Sequence, residues 1–168
     1  MEMSRHVLDE ANIRDLPPRE RLDRCAAILK NENDESLRWD AVWLAGEIAE
    51  ISHPEDPIFD EVADLMSWVL QNDNNGVVKH EACFQIAARN MRNKIPDLVN
   101  SSLGDKSPLV RHEALESLGL MRAFDAIELI AKAGQDESPD VKETAEFVLK
   151  RLNRLKNIGG QYKPSSIL

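Results

Sequence analysis

Two dipeptides carry most of the chemistry available to this chain: His80-Glu81 in "VVKHEACFQIA" and His112-Glu113 in "LVRHEALESLG". They use two of the four histidines and occupy the same place in two similar helical stretches. Imidazole nitrogen binds divalent transition metals well, and a neighbouring glutamate adds a carboxylate oxygen. Two histidines and one carboxylate on one side of an ion leave other positions open, the arrangement of non-haem Fe(II) sites that admit dioxygen and substrate. His80, His112 and one of Glu81 or Glu113 supply that set. The other glutamate is then free to act as a base, an orienting partner or a counter-charge for a cationic substrate. A His-Glu dipeptide on a helix is ordinarily a solvated surface pair, and duplication copies surface residues too. Selective retention argues for more, because the equivalent positions of the flanking units hold Trp39-Asp40 and Glu143-Thr144.

The elements that must position these residues are repeats. "DNNGVVKHEACFQI" starts at Asp73, "DKSPLVRHEALESL" at Asp105 and "DESPDVKETAEFVL" at Asp136, offsets of 32 and 31 residues. A fainter copy, "ENDESLRWDAVWLA", starts at Glu32, a further 41 residues back. Each has a polar turn, a small residue or proline opening a helix, then a Val-Arg/Lys step and an apolar stripe. Periods of this length built from two helices each mark an all-α solenoid. The spacing predicts four helix pairs: 18–30 with 36–50, 57–71 with 76–91, 95–103 with 108–121, and 124–134 with 139–153. Residues 1–17 read as an N-terminal segment, 18–153 as the repeat domain, and 154–168, containing Gly159-Gly160, as a flexible tail or docking arm.

Within the third unit, Val110, Ala114, Leu118 and Met121 form one apolar stripe, and Val78, Ala82 and Ile86 do so in the second. His112 lies two positions, about 200°, from Val110 and so faces away from the stripe. This face is expected to line the inner wall, with Gly46, Ala87 and Gly119 keeping it open. Neighbouring helices roughly 8–10 Å apart let two imidazoles meet at one ion with bonds near 2.1 Å.

Bulk properties exclude several alternatives. Twenty-one Lys and Arg against 30 Asp and Glu give a net charge of -9, and no basic stripe is present, so no nucleic-acid partner is expected. Apolar runs are far too short to span a membrane, the start "MEMSRHVLDE" is polar, and the chain is expected to be cytoplasmic. Cys25 and Cys83 fit buried free thiols. Trp39, Trp43 and Trp68 read as packing residues, His6 and His53 as bystanders, and Asp40 as a capping or solvated acid. There is no Gly-rich phosphate loop, Cys-x-x-Cys or nucleophile elbow.

From about Val69 to Leu152 the chain resembles the deoxyhypusine hydroxylase family. The resemblance covers both His-Glu pairs, their spacing, "IPDLV" and the closing "VKETAEFVLKRL". It implies a HEAT-like α-solenoid and a non-haem di-iron monooxygenase. The family carries four His-Glu motifs in two facing halves, each iron taking two histidines and a glutamate from one half. This chain has two motifs, so the resemblance implies a homodimer contributing one iron per subunit, with dioxygen as co-substrate. His80, His112 and Glu113 would then be the iron ligands and Glu81 the carboxylate meeting substrate, either a lysine-derived side chain on a protein or a small metabolite. The alternatives are a non-catalytic HEAT scaffold binding a partner protein, and a phycobilin-lyase-like HEAT protein, which needs no paired His-Glu.

Overall fold

The computed structural model describes residues 10–159, which form helices and turns only. A short helix, α1 (Glu10–Arg14), precedes four consecutive pairs. These are α2 (Pro18–Asn31) with α3 (Glu35–Ile51), α4 (Pro57–Asn72) with α5 (Gly76–Ala88), α6 (Ile95–Gly104) with α7 (Pro108–Leu120), and α8 (Ile127–Lys132) with α9 (Pro139–Ile158). First helices stack on first helices, α2 on α4, α4 on α6 and α6 on α8; second helices likewise, α3 on α5, α5 on α7 and α7 on α9. The all-α solenoid of four pairs expected from the repeat spacing is the observed fold.

Local chemistry sets where the helices start. Prolines occupy the first turn of α4, α7 and α9, where the missing N–H costs nothing. Asp34, Asp56 and Asn75 cap α3, α4 and α5 through side-chain oxygens that accept from backbone N–H groups. The aspartate opening each later unit bonds the backbone two residues on: Asp73 to Asn75, Asp105 to Ser107 and Asp136 to Ser138, each at 2.9 Å.

The same aspartates explain the Val-Arg/Lys step of the repeat. Arg38 reaches Asp73 at 2.9 Å, Lys79 reaches Asp105 at 2.7 Å, and Arg111 reaches Asp136 at 2.8 Å, all nearly buried. Each cation thus ties its own helix to the turn that starts the next unit. Side-chain bonding to Arg111 holds the Asp136 carboxyl below its usual range, and Asp136 raises the guanidinium in return.

Three helices differ from the sequence expectation by more than one residue. Helix α5 stops at Ala88 rather than 91, because Asn90 takes a left-handed φ of 52° and Met91 N–H bonds back to the Ile86 carbonyl. Arg122 repeats this stop after α7, with φ 53° and Ala123 N–H on Leu118. These are Schellman closures without glycine, which leave no glycine mark in the sequence. The segment expected as one helix at 124–134 is α8 flanked by 3₁₀ turns at Phe124–Ala126 and Ala133–Gln135. Helix α9 runs to Ile158, five residues into the expected tail, because Leu155 continues the buried stripe of Val141, Ala145, Val148 and Leu152. Residues 160–168, and His6, lie outside the described residues.

The stripes predicted for the second helices are buried: Val78, Ala82, Ile86, Val110, Ala114, Leu118 and Met121 all lie in the core. The opposite expectation, that Gly46, Ala87 and Gly119 hold an inner wall open, is not what the small residues do. They are buried under neighbouring helices. A methyl group at Gly119 would press within 3.2 Å of Val148, and one at Gly46 would overlap the Gln85 amide. Helices flanked on three sides keep only a narrow exposed strip. Past the first turn it comprises His112, Glu116 and Leu120 on α7, His80 and Phe84 on α5, and Trp39, Asp40, Trp43, Glu47, Glu50 and Ile51 on α3.

Candidate metal centre

The strips of adjacent second helices lie side by side, with each first position leaning toward the next unit. His80 Nε2 on α5 meets Glu113 Oε2 on α7 at 3.0 Å. By the same register His112 on α7 meets Thr144 on α9, its Nδ1 lying 2.7 Å from Thr144 Oγ1. His112 Nε2 lies 3.4 Å from Glu116 Oε1, one helical turn on. Ligand atoms of His112, Glu113 and Glu116 all fall within 4.8 Å of one another. Glu113 therefore joins the two halves of the site, touching His80 on one side and belonging to the His112 cluster on the other.

Electrostatics follow from this crowding. Hydrogen bonding to Glu113 raises His80 above its ordinary value, outweighing the opposing effect of partial burial. His112, Glu113 and Glu116 present lone pairs to one region, an arrangement that a proton or metal cation relieves, whereas His80 lies outside that group and reaches it only through Glu113. One imidazole and two carboxylates this close together are a donor set that suits a divalent metal cation.

Glu81 has a different setting. It is buried, and its Oε1 accepts from Gln85 Nε2 at 2.9 Å. Gln85, fully enclosed, in turn accepts from Arg89 Nε at 3.2 Å, and Arg89 pairs with Glu50 on α3 at 3.0 Å. Burial raises the Glu81 carboxyl, partly offset by the Gln85 bond. Gly46 provides the space that the Gln85 amide occupies.

Sequence reasoning missed Glu116 and Thr144. Glu116 lies four residues after His112, on the same exposed strip, and that spacing was legible. Thr144 occupies the position of Glu113 one unit later, so its meeting with His112 follows from the repeat register. Beside the site lies a cleft of about 630 Å³ lined by His112, Glu116, Asp140, Glu143, Thr144 and Phe147, among others. A second hollow of about 440 Å³ adjoins it across Glu116 and Phe147. Trp43 stacks between Trp39 and Phe84, with ring centroids 6.4 and 6.5 Å apart. Trp39 and Trp68 pack on the core as expected, and Lys30 lies over the Trp68 ring. Asp40 is half-buried with its carboxyl pushed up by burial, and His53 accepts from Glu55 N–H in its loop. Cys25 and Cys83 are free and buried, the Cys25 thiol pushed up to about 12.

The family profile described as HEAT repeats matches residues 62–150. The chain belongs to the HEAT-repeat family. Among curated HEAT relatives it is similar to deoxyhypusine hydroxylase of Danio rerio, 33% identical over 105 residues, covering 60% of this chain and 34% of that protein. The Arabidopsis thaliana enzyme is 33% identical over 101 residues, covering 58% and 32%. Deoxyhypusine hydroxylase of Saccharomyces cerevisiae is 27% identical over 139 residues, covering 79% and 42%. The solved structure of human deoxyhypusine hydroxylase in complex with glycerol superimposes with a TM-score of 0.71 at 23% identity, covering 89% of this chain and 49% of that one. The resemblance read from the His-Glu motifs thus stands. This HEAT-repeat chain spans about a third of the length of its first matched relatives. No described helix is long and apolar enough to cross a membrane.

Proposed function

We propose that this HEAT-repeat chain is an iron-dependent, dioxygen-using hydroxylase whose di-iron site forms between two facing subunits of a homodimer. His80, His112 and Glu113 hold one iron in each subunit, and Glu81 meets the substrate. The observation that carries the reading is Glu113, which bonds His80 from the preceding unit and clusters with His112 and Glu116. Similarity to deoxyhypusine hydroxylases supports the reaction class and an amine-bearing, lysine-derived substrate on a protein.

Iron, when bound, supplies activation of dioxygen for insertion of oxygen into a C–H bond. The residues of this chain bind and orient. Neutral imidazoles are needed for ligation, so His80, whose Nε2 lies against Glu113, would hold metal through a nitrogen free of its proton. Glu81, bonded by Gln85 and backed through it by Arg89, would offer its carboxylate to a cationic amine. Proteins of this acidity attract such an amine electrostatically.

Metal analysis of protein purified without a metal-affinity tag tests the reading. About one iron per chain and a dimer on sizing at micromolar concentration are expected, with a visible spectrum that changes when the ferrous form meets air. His112→Ala is expected to lose the iron while keeping its helicity. A chain that takes up no iron even after anaerobic Fe(II) addition is instead a protein-binding scaffold.

A further inference from the structure

The hydroxyl of Thr144 has one proton to give, and its direction is fixed. Thr144 Oγ1 lies 2.8 Å from the Asp140 carbonyl oxygen, four residues back on α9, and a carbonyl only accepts. The hydrogen therefore points to Asp140. Toward His112 Nδ1, at 2.7 Å, the hydroxyl then presents a lone pair, which favours the tautomer with the ring hydrogen on Nδ1. In the neutral imidazole this leaves the lone pair on Nε2, the nitrogen that faces Glu116 and the cluster around Glu113. Thr144 is nearly buried, and Asp140 O and His112 Nδ1 hold its hydroxyl from two helices.

We infer that Thr144 is a positioning residue that fixes the tautomer and ring orientation of His112, presenting Nε2 to a divalent metal. The inference rests on the proposed role of His112 as a ligand, but its first half, the tautomer, does not. It gives the fourth unit a task although Glu143-Thr144 stand there in place of a His-Glu pair. Where Glu113 receives His80 as a carboxylate, Thr144 receives His112 as a hydroxyl, and only the second arrangement frees Nε2 from its neighbour in the next repeat.

Two measurements on the full-length chain decide it. Ring-nitrogen NMR of chelator-treated protein reports the His112 tautomer without any metal, and titration with Co(II) reports affinity and a ligand-field spectrum. Wild type is expected in the Nδ1–H form. Thr144→Val, of similar shape but without the hydroxyl, is expected to lose that preference and to bind Co(II) about 10–100-fold more weakly, the usual cost of removing a residue that orients a metal-ligating histidine. Thr144→Ser is expected to restore both. Thr144→Ala replaces the valine variant if that one misfolds. A tautomer or a Co(II) affinity unchanged by loss of the hydroxyl overturns the inference. If wild type takes up no Co(II), His112 is not a ligand and the role of Thr144 toward metal falls with it, a failure told apart because the wild-type tautomer is read independently.

Discussion

The second and third repeats begin from the same dipeptide and put it to different use. His80 gives its Nε2 to Glu113, a carboxylate on the next helix, whereas His112 gives Nδ1 to Thr144 and leaves Nε2 facing Glu116. Glu113 receives a histidine from the preceding unit. Glu81 cannot, because Trp39 stands where that histidine would be, and it turns instead to Gln85 in its own helix. A residue in a solenoid is thus defined by what the adjacent unit offers it as much as by its own motif. Copying a motif copies the side chains, not their partners.

Removing each carboxylate in turn is the sharpest way to break this contrast. Glu113→Gln is expected to abolish stoichiometric iron binding, while Glu81→Gln retains iron and loses turnover. Equal iron in the two variants would erase the distinction, and inductively coupled plasma analysis reads it. A smaller effect is expected one layer down, where the repeats differ in the room they leave. Gly46→Ala collides with the enclosed Gln85 amide and should destabilise the fold by about 1–3 kcal/mol in urea melts, with loss of turnover ahead of loss of iron. Gly119→Ala, which needs Val148 to give only a few tenths of an ångström, should cost less.

The smallest effect concerns pH in chelator-treated protein. The folded value of His80 lies above its ordinary 6.5, so the His80–Glu113 pair stabilises the fold fully below that ordinary value. The contribution is lost as pH rises through the folded value. Partial exposure limits it to less than about 1 kcal/mol. The difference in Tm between wild type and Glu113→Gln should narrow from acidic to mildly alkaline pH, and a difference that widens would contradict the pairing.

Much of this was legible in the sequence because it depends on periodicity. Helix pairs, stripes and the two His-Glu positions all follow from apolar spacing and the 31- and 32-residue offsets. What was not legible depends on partners across helices. Gly46 reads as a gap in a wall until Gln85 is seen filling it, and nothing in the helix of Glu113 shows that it receives His80 from the preceding unit. The helix stops at Asn90 and Arg122 carry no glycine, so pattern alone extends α5 too far. The expected tail begins later than 154 because Leu155 lies in step with the buried stripe of α9.

The ion pairs running from Arg38 to Asp73, Lys79 to Asp105 and Arg111 to Asp136 bear on how the array comes apart. Peeling away one unit breaks the pair that joins it to its neighbour, together with the apolar contacts between them. Such stitches penalise fraying from an end and favour loss of the whole stack in one transition. The spacing between His80 and Glu113 is then guarded by the residues beside them, Lys79 and Arg111, through the turns those cations hold.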